Sequence, residues 1–328
     1  MTVAVVLSSY NGERYIKEQL ISLKNQTRKI DKVYICDDGS VDNTVGIIKT
    51  FITDNSLDNW SLKINSENKG WKKNFRDMIL SADEDIIFPC DQDDIWSVNK
   101  IEEMSIILEK RKEIDLLACG YYTKYDDNTR HVSKRITREM KNTGKVKRIK
   151  MNENYMNVLR PGCTYAIRKE FCHKIESAWN EELPHDAMIW RCSIINNGAY
   201  VYDKKLITWR RYNLSSSNPN SRASQYNDKY KMLYYFNLNN TKSHLLFLNC
   251  VESLLNADKL FTSNKNKIIL KKSKCYEQMV YNALQSRKVL SYLSASMKYS
   301  KYCVSLKSVL WNVFVLAVNK KSLSKVLR

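Results

Sequence analysis

Three carboxylates within four positions are the strongest chemical signal in this 328-residue sequence. They are Asp91, Asp93 and Asp94, and they follow an apolar run. Carboxylates this close repel one another unless a cation lies among them, and side chains at alternate positions of an extended segment share a face. Oxygen ligands suit Mg²⁺ or Mn²⁺, so we predict a divalent metal site at Asp91 and Asp93. An ordinary acidic turn is the alternative interpretation.

Two further polar turns end apolar runs earlier in the chain. Ser8–Gly12 (SSYNG) follows the first run and Asp37–Ser40 (DDGS) follows the second. A carboxylate at the end of a strand can accept hydrogen bonds from the base or ribose of a nucleotide. No GxGxxG or Walker-type glycine loop is present, which disfavours a dinucleotide or P-loop site. Each of these segments, taken alone, is most often a simple turn.

The elements that must position these residues alternate between short apolar runs and segments of helical period. Nearly continuous apolar strands separated by helices predict an α/β, Rossmann-like, mostly parallel sheet with helices on both faces, and with ligands beyond the carboxyl ends of the strands. We predict strands at Val3–Leu7, Val33–Cys36, Leu62–Ile64, Ile86–Phe88 and Leu116–Cys119, and helices at Glu13–Asn25, Thr44–Thr53, Trp71–Ser81 and Asn99–Glu113.

The second half of the chain has a less regular pattern. Tyr121–Asn157 loses its period and is basic, which predicts an excursion or mobile loop. Order returns at Gly162, and a strand-like run at Ala199–Trp209 completes the domain. The polar stretch Asn213–Ser224 predicts a boundary. We therefore expect a domain at 1–225 followed by a mainly helical, basic C-terminal region at 226–328.

Charge is distributed unevenly along the chain. The composition, 43% hydrophobic and 27% charged, is that of a globular protein and excludes disordered or collagen-like classes. Residues 226–328 hold 18 Lys and Arg against 4 Asp and Glu, so they carry +14 of the net +19. Thr129–Lys150 is a second basic zone. An anionic membrane surface, a phosphate-linked substrate or nucleic acid would attract this charge, and solvated basic faces are the alternative.

Four motifs together resemble one family. Ser8–Asn11, Asp37–Ser40, Glu67–Gly70 and Asp91–Asp93 occur in the order and spacing of family 2 glycosyltransferases of the GT-A fold, over residues 1 to about 212. The run Cys90–Trp96, with Lys100 after it, is similar to the branch that includes bacterial rhamnosyltransferases.

The resemblance implies a nucleoside diphosphate sugar donor. It assigns nucleoside contacts to Tyr10, Asp38 and Asn68, and binding of the metal and diphosphate to Asp91 and Asp93. The family also has a catalytic carboxylate late in the domain, and the matching residue here is Asp186. A carboxylate there would take the proton from an acceptor hydroxyl, and a single displacement would invert the anomeric centre. His185 stands where the family commonly has another acid, and an N-cap role after Pro184 is the alternative.

Other donor and acceptor residues follow from the same resemblance. Gly162 and Cys163 resemble the small-residue loop under the acceptor, which His185 would also contact. Trp96 and Trp190 are candidates for walling the donor, although either could be core. Arg210 and Arg211 could clamp the diphosphate or be exposed rim residues. The following cysteines and histidines lack the paired spacing of a structural zinc site: Cys163, Cys172, His173, His185 and Cys192.

We therefore predict an inverting, metal-dependent glycosyltransferase. Its donor would be dTDP-L-rhamnose, with a UDP-hexose as the alternative, and its acceptor a lipid-linked saccharide of a bacterial surface polysaccharide. A basic nucleic-acid-binding protein is the alternative from another class. No nucleic-acid partner is expected, because the N-terminal body without its basic zone is nearly neutral and contains no recognised nucleic-acid motif.

Location is predicted from the two ends of the chain. The first apolar run, at Val3–Leu7, lacks the basic flank and cleavage pattern of a signal peptide, and the nine cysteines contain no C-x-x-C pair, so we expect a cytoplasmic protein. The basic tail, with its apolar stretch Val304–Val318, predicts peripheral attachment to an anionic membrane face. Packing of that helix on the catalytic domain, or on a second subunit in a homodimer, is the alternative.

Overall fold

The computed structural model describes residues 1–126, 141–212 and 229–302, together with four helical positions at 309, 310, 313 and 316. These residues fall into two compact units. The first comprises residues 1–150 and 158–212, and the second comprises 151–157 and 213–328. The boundary predicted at 225/226 lies outside the described residues and stays a prediction.

The first unit contains a sheet whose described strands number nine. They are β1 (Val3–Ser9), β2 (Lys32–Asp37), β3 (Trp60–Ile64), β4 (Ile86–Asp91), β5 (Ile95–Trp96), β6 (Leu116–Tyr125), β7 (Val146–Arg148), β8 (Tyr165–Arg168) and β9 (Ala199–Arg211). Their order is β3-β2-β1-β4-β8-β6-β9-β5, and β7 pairs with β9. The first four strands are parallel, and β8 joins them antiparallel to β4. The predicted, mostly parallel sheet is therefore confirmed.

Six helices of the first unit accompany this sheet within the described residues. They are α1 (Ile16–Lys24), α2 (Thr44–Asp54), α3 (Trp71–Ser81), α4 (Lys100–Lys110), α5 (Lys169–Glu176) and α6 (His185–Ile195). Alternation along β1 explains how they cover it, because successive strand side chains point to opposite faces. Val3, Val5 and Leu7 enter a core cluster shared with α1, α2 and α4. Ala4 and Val6 are also fully buried and point to the face that α3 covers.

The expectation of an irregular excursion over Tyr121–Asn157 was wrong for the start of that segment and for a short stretch inside it. Strand β6 continues to Tyr125, and β7 lies inside the segment. Both pair with β9, which is long enough to supply hydrogen-bonding partners to each of them. The hydrogen bonds to β9 stabilise β6 and β7 as strands, although their sequences lack a strict hydrophobic alternation. Residues 127–140 lie outside the described ranges.

The second unit is helical, as predicted. It contains α7 (Lys229–Asn256), α8 (Asn264–Gln285) and α9 (Val289–Lys298). A small core joins Tyr276, Val280 and Leu284 of α8 to Tyr292 of α9, and Leu316 packs in the same cluster. No helix in the described ranges is both long enough and apolar enough to cross a membrane.

The apolar stretch Val304–Val318 is described at four positions, all helical. Val309, Val313 and Leu316 pack against the core of the second unit, whereas Leu310 is exposed. At these positions the apolar face is therefore largely used inside the unit. Attachment of this helix to a membrane stays a prediction.

Candidate active site

The carboxyl ends of three parallel strands bring the predicted polar turns together. In the register of the sheet, Ser9 of β1 lies opposite Asp37 of β2, and Ser8 lies opposite Asp91 of β4. The backbone N–H of Tyr10 donates to Oε1 of Gln92 at 2.8 Å, and Nε2 of Gln92 donates back to the Tyr10 carbonyl at 3.0 Å. The turn after β1 is therefore fastened to the acidic turn after β4, with the Tyr10 side chain exposed.

Asp38 holds the loop that follows β3. Its side chain is only 2% exposed and accepts hydrogen bonds from Asn65 Nδ2 at 2.9 Å, Lys69 N–H at 2.9 Å and Gly70 N–H at 2.8 Å. An ionised carboxylate has roughly four acceptor positions, so about one remains free. Asn68, on the same loop, is exposed and accepts from the Gly70 N–H at 3.0 Å. The loop thus brings Asn68 close to Asp38, and their contacts with a donor stay predictions.

The acidic turn after β4 holds three carboxylates whose ionisation is opposed by burial and by one another. Burial, together with the neighbouring carboxylates of Asp93 and Asp186, raises the pKa of Asp91 to about 7. The pKa of Asp94 is raised further, again chiefly by burial and then by Asp93 and Asp91. Burial also raises the pKa of Asp93, although Tyr212 donates a hydrogen bond to it. Three carboxylates whose ionisation is opposed in this way fit a site that a cation completes.

The structure groups these acids differently from the simple alternation predicted from sequence. Ligand atoms of Asp91, Asp94 and Cys163 lie within 4.8 Å of one another, and Asp93 is not among this group. Asp94 was not singled out as a ligand, and Cys163 was predicted to contact an acceptor. The assignment of metal binding to Asp93 stays a prediction. The sequence signal for Cys163 was its place after Gly162, in a loop that returns to the edge of the sheet.

Asp186 and His185 open helix α6 and face different surroundings. The half-buried carboxylate of Asp186 is close enough to Asp91 to raise the pKa of that residue, and it accepts a hydrogen bond from the N–H of Ala187 at 2.7 Å. The N-cap residue is Pro184, and among the described residues no side chain caps the helix. His185 is 5% exposed, with its ring 4.2 Å from the ring of Phe75. Burial lowers the pKa of His185 to about 4, so the imidazole is neutral at physiological pH.

Gly162 is required by the position of His185. A Cβ atom at position 162 would lie 2.3 Å from Nε2 of His185, a distance that no normal contact allows. The two residues predicted to lie near an acceptor are therefore in direct contact with each other. In the part of the chain that the structure describes, neither imidazole nitrogen of His185 has a hydrogen-bond partner. Binding of an acceptor by Gly162, Cys163 or His185 stays a prediction.

The two tryptophans lie in the core, which is the alternative that the sequence left open. Trp96 is almost fully buried, and its ring is 6.1 Å from that of Phe88. Trp190 is fully buried and stacks on Tyr165, with the ring planes 18° apart. Neither ring has an exposed face of useful size, and a donor contact from either stays a prediction.

Arg210 is a buried arginine whose charge is paired with carboxylates of the protein. It is 4% exposed, forms ion pairs with Glu18 and Asp126, and donates from Nε to the Asp93 carbonyl at 2.9 Å. Arg211 lies over the ring of Trp209 at 4.4 Å, and its charge acts on Asp93. Both arginines are thus at the acidic turn, where Arg210 is engaged with carboxylates of the protein. Their contact with a diphosphate stays a prediction.

Lys100 is a site residue that sequence reasoning noted only as part of a motif. It opens α4, is fully buried, and donates from Nζ to the Cys163 carbonyl at 3.0 Å. Nζ also lies 3.1 Å from the centroid of the Trp96 ring. Burial lowers the pKa of Lys100 to about 8. The ammonium therefore holds the loop of Cys163 against the acidic turn. In the sequence, the position of Lys100 four residues after Trp96 is the feature that could have identified Lys100 as a site residue.

Comparison with known protein families and sequences gives a consistent result. The model of glycosyl transferase family 2 matches residues 4–175. A dTDP-rhamnosyl transferase, RfbG of Shigella flexneri, is 28% identical over 210 residues, which are 61% of this chain and 68% of RfbG. Glycosyltransferase GlyG of Streptococcus pneumoniae is 31% identical over 127 residues, which are 38% of this chain and 40% of GlyG.

Solved structures resemble the chain over most of its length. TarS of S. aureus, residues 1–349 in complex with UDP, superposes with a TM-score of 0.55 at 15% identity and covers 92% of this chain and 91% of that one. The mannosyltransferase PcManGT of Pyrobaculum calidifontis, in complex with GDP-Man and Mn²⁺, has a TM-score of 0.52 at 14% identity and covers 98% and 82%. At identities this low, the structural similarity shows a shared fold and nothing finer.

Proposed function

Because this chain belongs to glycosyl transferase family 2, we propose that it transfers a sugar from a nucleoside diphosphate sugar to a saccharide hydroxyl, with inversion at the anomeric carbon. The observation that carries this proposal is the proximity of Asp186 to Asp91. The two carboxylates come from the start of α6 and the end of β4, and each has a different task in glycosyl transfer. A site that joins a donor-binding acid to a proton acceptor suits single displacement.

On the donor side, Asp38 and the loop that it holds bind the nucleoside. Tyr10 is exposed and is joined through Gln92 to the acidic turn, and the preceding residue, Ser9, accepts a hydrogen bond from the Asp38 N–H at 2.8 Å. The base and the diphosphate are therefore recognised by connected segments. Asp91 and Asp93 would hold Mg²⁺ or Mn²⁺. The bound cation supplies positive charge for the departing diphosphate. The raised pKa of Asp91, to about 7, supports this fit, because ionisation of the acidic turn needs a counter-charge.

On the acceptor side, Asp186 is the general base. A sugar hydroxyl is a weak nucleophile at neutral pH, so a carboxylate within hydrogen-bond reach must take its proton as the new bond forms. His185 does not compete for this role, because its ring is 5% exposed and packs against Phe75 and Gly162, which leaves it little access to an acceptor hydroxyl. It shapes the acceptor side together with Gly162.

The proposed donor is dTDP-L-rhamnose, and a UDP-hexose is the alternative. The first is supported by the similarity to RfbG, and the second is kept because TarS has been solved with UDP. The proposed acceptor is a saccharide of a bacterial surface polysaccharide, lipid-linked and presented at the cytoplasmic face of the membrane. The charge of +14 in residues 226–328 supports this location.

A donor screen tests the proposal. Purified full-length protein is incubated with dTDP-rhamnose, UDP-glucose, UDP-N-acetylglucosamine and GDP-mannose, each with Mg²⁺, with Mn²⁺ and with excess chelator. We expect metal-dependent hydrolysis or transfer from one nucleotide class. If no donor binds by calorimetry and none is turned over under any metal condition, the proposed function is wrong.

The assignment of Asp186 is tested by separating binding from turnover. Asp186→Asn keeps the shape of the side chain and removes the proton acceptor, so turnover should fall by about 10² to 10⁴ while donor affinity stays nearly constant. Asp77→Asn, an exposed change on α3, is the matched control. A large loss of donor affinity with unchanged turnover would move Asp186 to the donor site.

A further inference from the structure

The strongest unassigned feature of the first unit is a mixed carboxylate and thiol cluster behind the acidic turn. It consists of Asp91, Asp94 and Cys163, which each present a ligand atom within 4.8 Å of the other two. Asp94 is fully buried and Cys163 is 1% exposed, whereas Asp91 is half-buried. The cluster is therefore closed on the inside and reachable from the side of Asp91.

One polar atom in this cluster lacks the partner that burial normally demands. Oδ1 of Asp94 accepts from the backbone N–H of Arg210 at 3.2 Å. Its Oδ2 is buried, and within the described ranges it has no hydrogen-bond partner apart from the weak S–H donor of Cys163. Buried polar atoms in folded proteins nearly always have a partner, and an atom that binds a metal ion is one recognised exception. This oxygen points to a ligand.

The thiol is held in position by its own loop. Cys163 lies in a 3-10 turn at Gly162–Thr164, and its carbonyl accepts the hydrogen bond of the Lys100 ammonium at 3.0 Å. Thr164 fastens the same turn by donating from Oγ1 to the Pro161 carbonyl at 2.7 Å. These hydrogen bonds hold the backbone of Cys163 in place, and the buried side chain presents Sγ within 4.8 Å of both carboxylates.

The charges of the cluster match a divalent cation. Two carboxylates and one thiolate carry −3, and the buried ammonium of Lys100 adds +1, which leaves −2 for the ligand to neutralise. Sulfur among the ligands favours Zn²⁺ or Cd²⁺, whereas Mg²⁺ prefers six oxygen ligands in octahedral geometry. Zinc sites with three protein ligands keep an open position for water, and the half-exposed side at Asp91 is open to it.

We propose that Asp91, Asp94 and Cys163 form a site for a thiophilic divalent cation, Zn²⁺ or Cd²⁺, beside the Mg²⁺ or Mn²⁺ position expected at Asp91 and Asp93. When the cation binds, a metal–sulfur bond replaces the S–H bond of Cys163, and the proton leaves to solvent. Because Asp91 belongs to both positions, occupation of the thiol site inhibits sugar transfer. The inhibition rests on the proposed function, whereas the binding does not.

Cadmium alone is the probe for binding. Full-length protein is stripped with chelator and titrated with Cd²⁺, while the ultraviolet charge-transfer band of the cadmium–thiolate bond is recorded. All proteins carry Cys275→Ser and Cys303→Ser, because Cys275 is exposed and Cys303 lies outside the described ranges. We expect a band that saturates at one equivalent, survives excess Mg²⁺ and disappears with chelator.

Two variants and one matched control locate the site. Cys163→Ser should abolish the band, and Asp94→Asn should weaken Cd²⁺ binding by at least about tenfold while the thiol remains. Cys119→Ser is the control, because Cys119 is equally buried and also interacts with Lys100 but is outside the cluster. A band that persists in Cys163→Ser, or binding that is unchanged in Asp94→Asn with its melting temperature retained, would overturn the proposal.

Inhibition is measured separately. Zn²⁺ at fixed excess Mg²⁺ should slow sugar transfer by the parent protein, and Cys163→Ser should lose most of this inhibition relative to its own zinc-free rate. Equal inhibition of both proteins would refute the shared role of Asp91. If no donor is ever turned over, the proposed function fails while the cadmium titration still decides the site.

Discussion

The buried imidazole of His185 predicts a specific dependence of stability on pH. Its pKa is about 4 in the folded protein and 6.5 in an unperturbed chain. Above pH 6.5 both states are neutral and the stability is fully present. As the pH falls, the unfolded chain takes up a proton before the folded protein does, so stability is lost progressively as the pH approaches and passes the folded pKa.

The magnitude follows from the two pKa values. A shift of 2.5 pKa units corresponds to about 3 kcal/mol in total, of which about 2 kcal/mol is lost between pH 7 and pH 5. This loss comes from a side chain that packs against Phe75 and Gly162 and has no hydrogen-bond partner on either nitrogen among the described residues. The nearby charge of Asp186 favours the imidazolium, but its effect on the pKa is smaller than that of burial.

Urea denaturation of the parent and of His185→Asn, at pH 7 and pH 5, isolates the effect. Asp91 has a raised pKa and so contributes with the opposite sign, but it is present in both proteins and largely cancels in the difference. We expect the parent to lose about 2 kcal/mol more than the variant between the two pH values. Identical pH dependence, or an NMR titration of His185 near pH 6.5, would refute the reasoning.

Three further predictions concern the metal, the acceptor loop and the tail. Asp93→Ala should abolish metal-dependent transfer, and normal turnover of that variant or full activity in chelator would contradict the metal assignment. Gly162→Ala should destabilise the protein by about 1 to 3 kcal/mol in denaturant titrations, because the new Cβ would lie 2.3 Å from His185 Nε2, and His185→Ala in the same chain should relieve most of that loss. Full-length protein should float with anionic vesicles at low salt, and Lys298→Glu with Lys301→Glu should weaken binding by up to about fivefold per charge removed; equal flotation with neutral vesicles would exclude the electrostatic explanation.

The predicted GT-A fold is confirmed, and the sequence predicted it because the strands carry their own signal. Val3–Leu7 and Ile86–Phe88 are buried on both faces, so they are apolar throughout and recognisable without any knowledge of their partners. The polar turns after them could be expected to meet for the same reason, since parallel strands end at one edge of a sheet. Strand β7 could not be predicted this way. It is short, mostly exposed, and depends on its pairing with β9.

The direction of each side chain depends on residues far away in sequence. From its local sequence, Arg210 could be an exposed residue that binds a phosphate. In the structure, its guanidinium instead pairs with Glu18 and Asp126. Trp96 follows an acidic motif and could face a ligand, but the ammonium of Lys100 lies against its ring. These contacts join positions that local periodicity cannot relate, so the sequence could not predict the partners of these side chains.

Lys100 supplies part of the positive charge that offsets burial of the acidic turn. A carboxylate taken out of water costs several kcal/mol unless charge or hydrogen bonds replace the solvent. Asp94 receives one backbone hydrogen bond from Arg210, and the ammonium of Lys100 supplies positive charge from the other side of the Cys163 loop. The Lys100 charge acts on Asp91 as well, yet burial and the neighbouring carboxylates still raise the pKa of Asp91 to about 7, and they raise the pKa of Asp94 well above its usual value. The protein's own charges therefore leave both acids incompletely compensated, and the half-buried Asp91 is the one that a cation from solvent can reach.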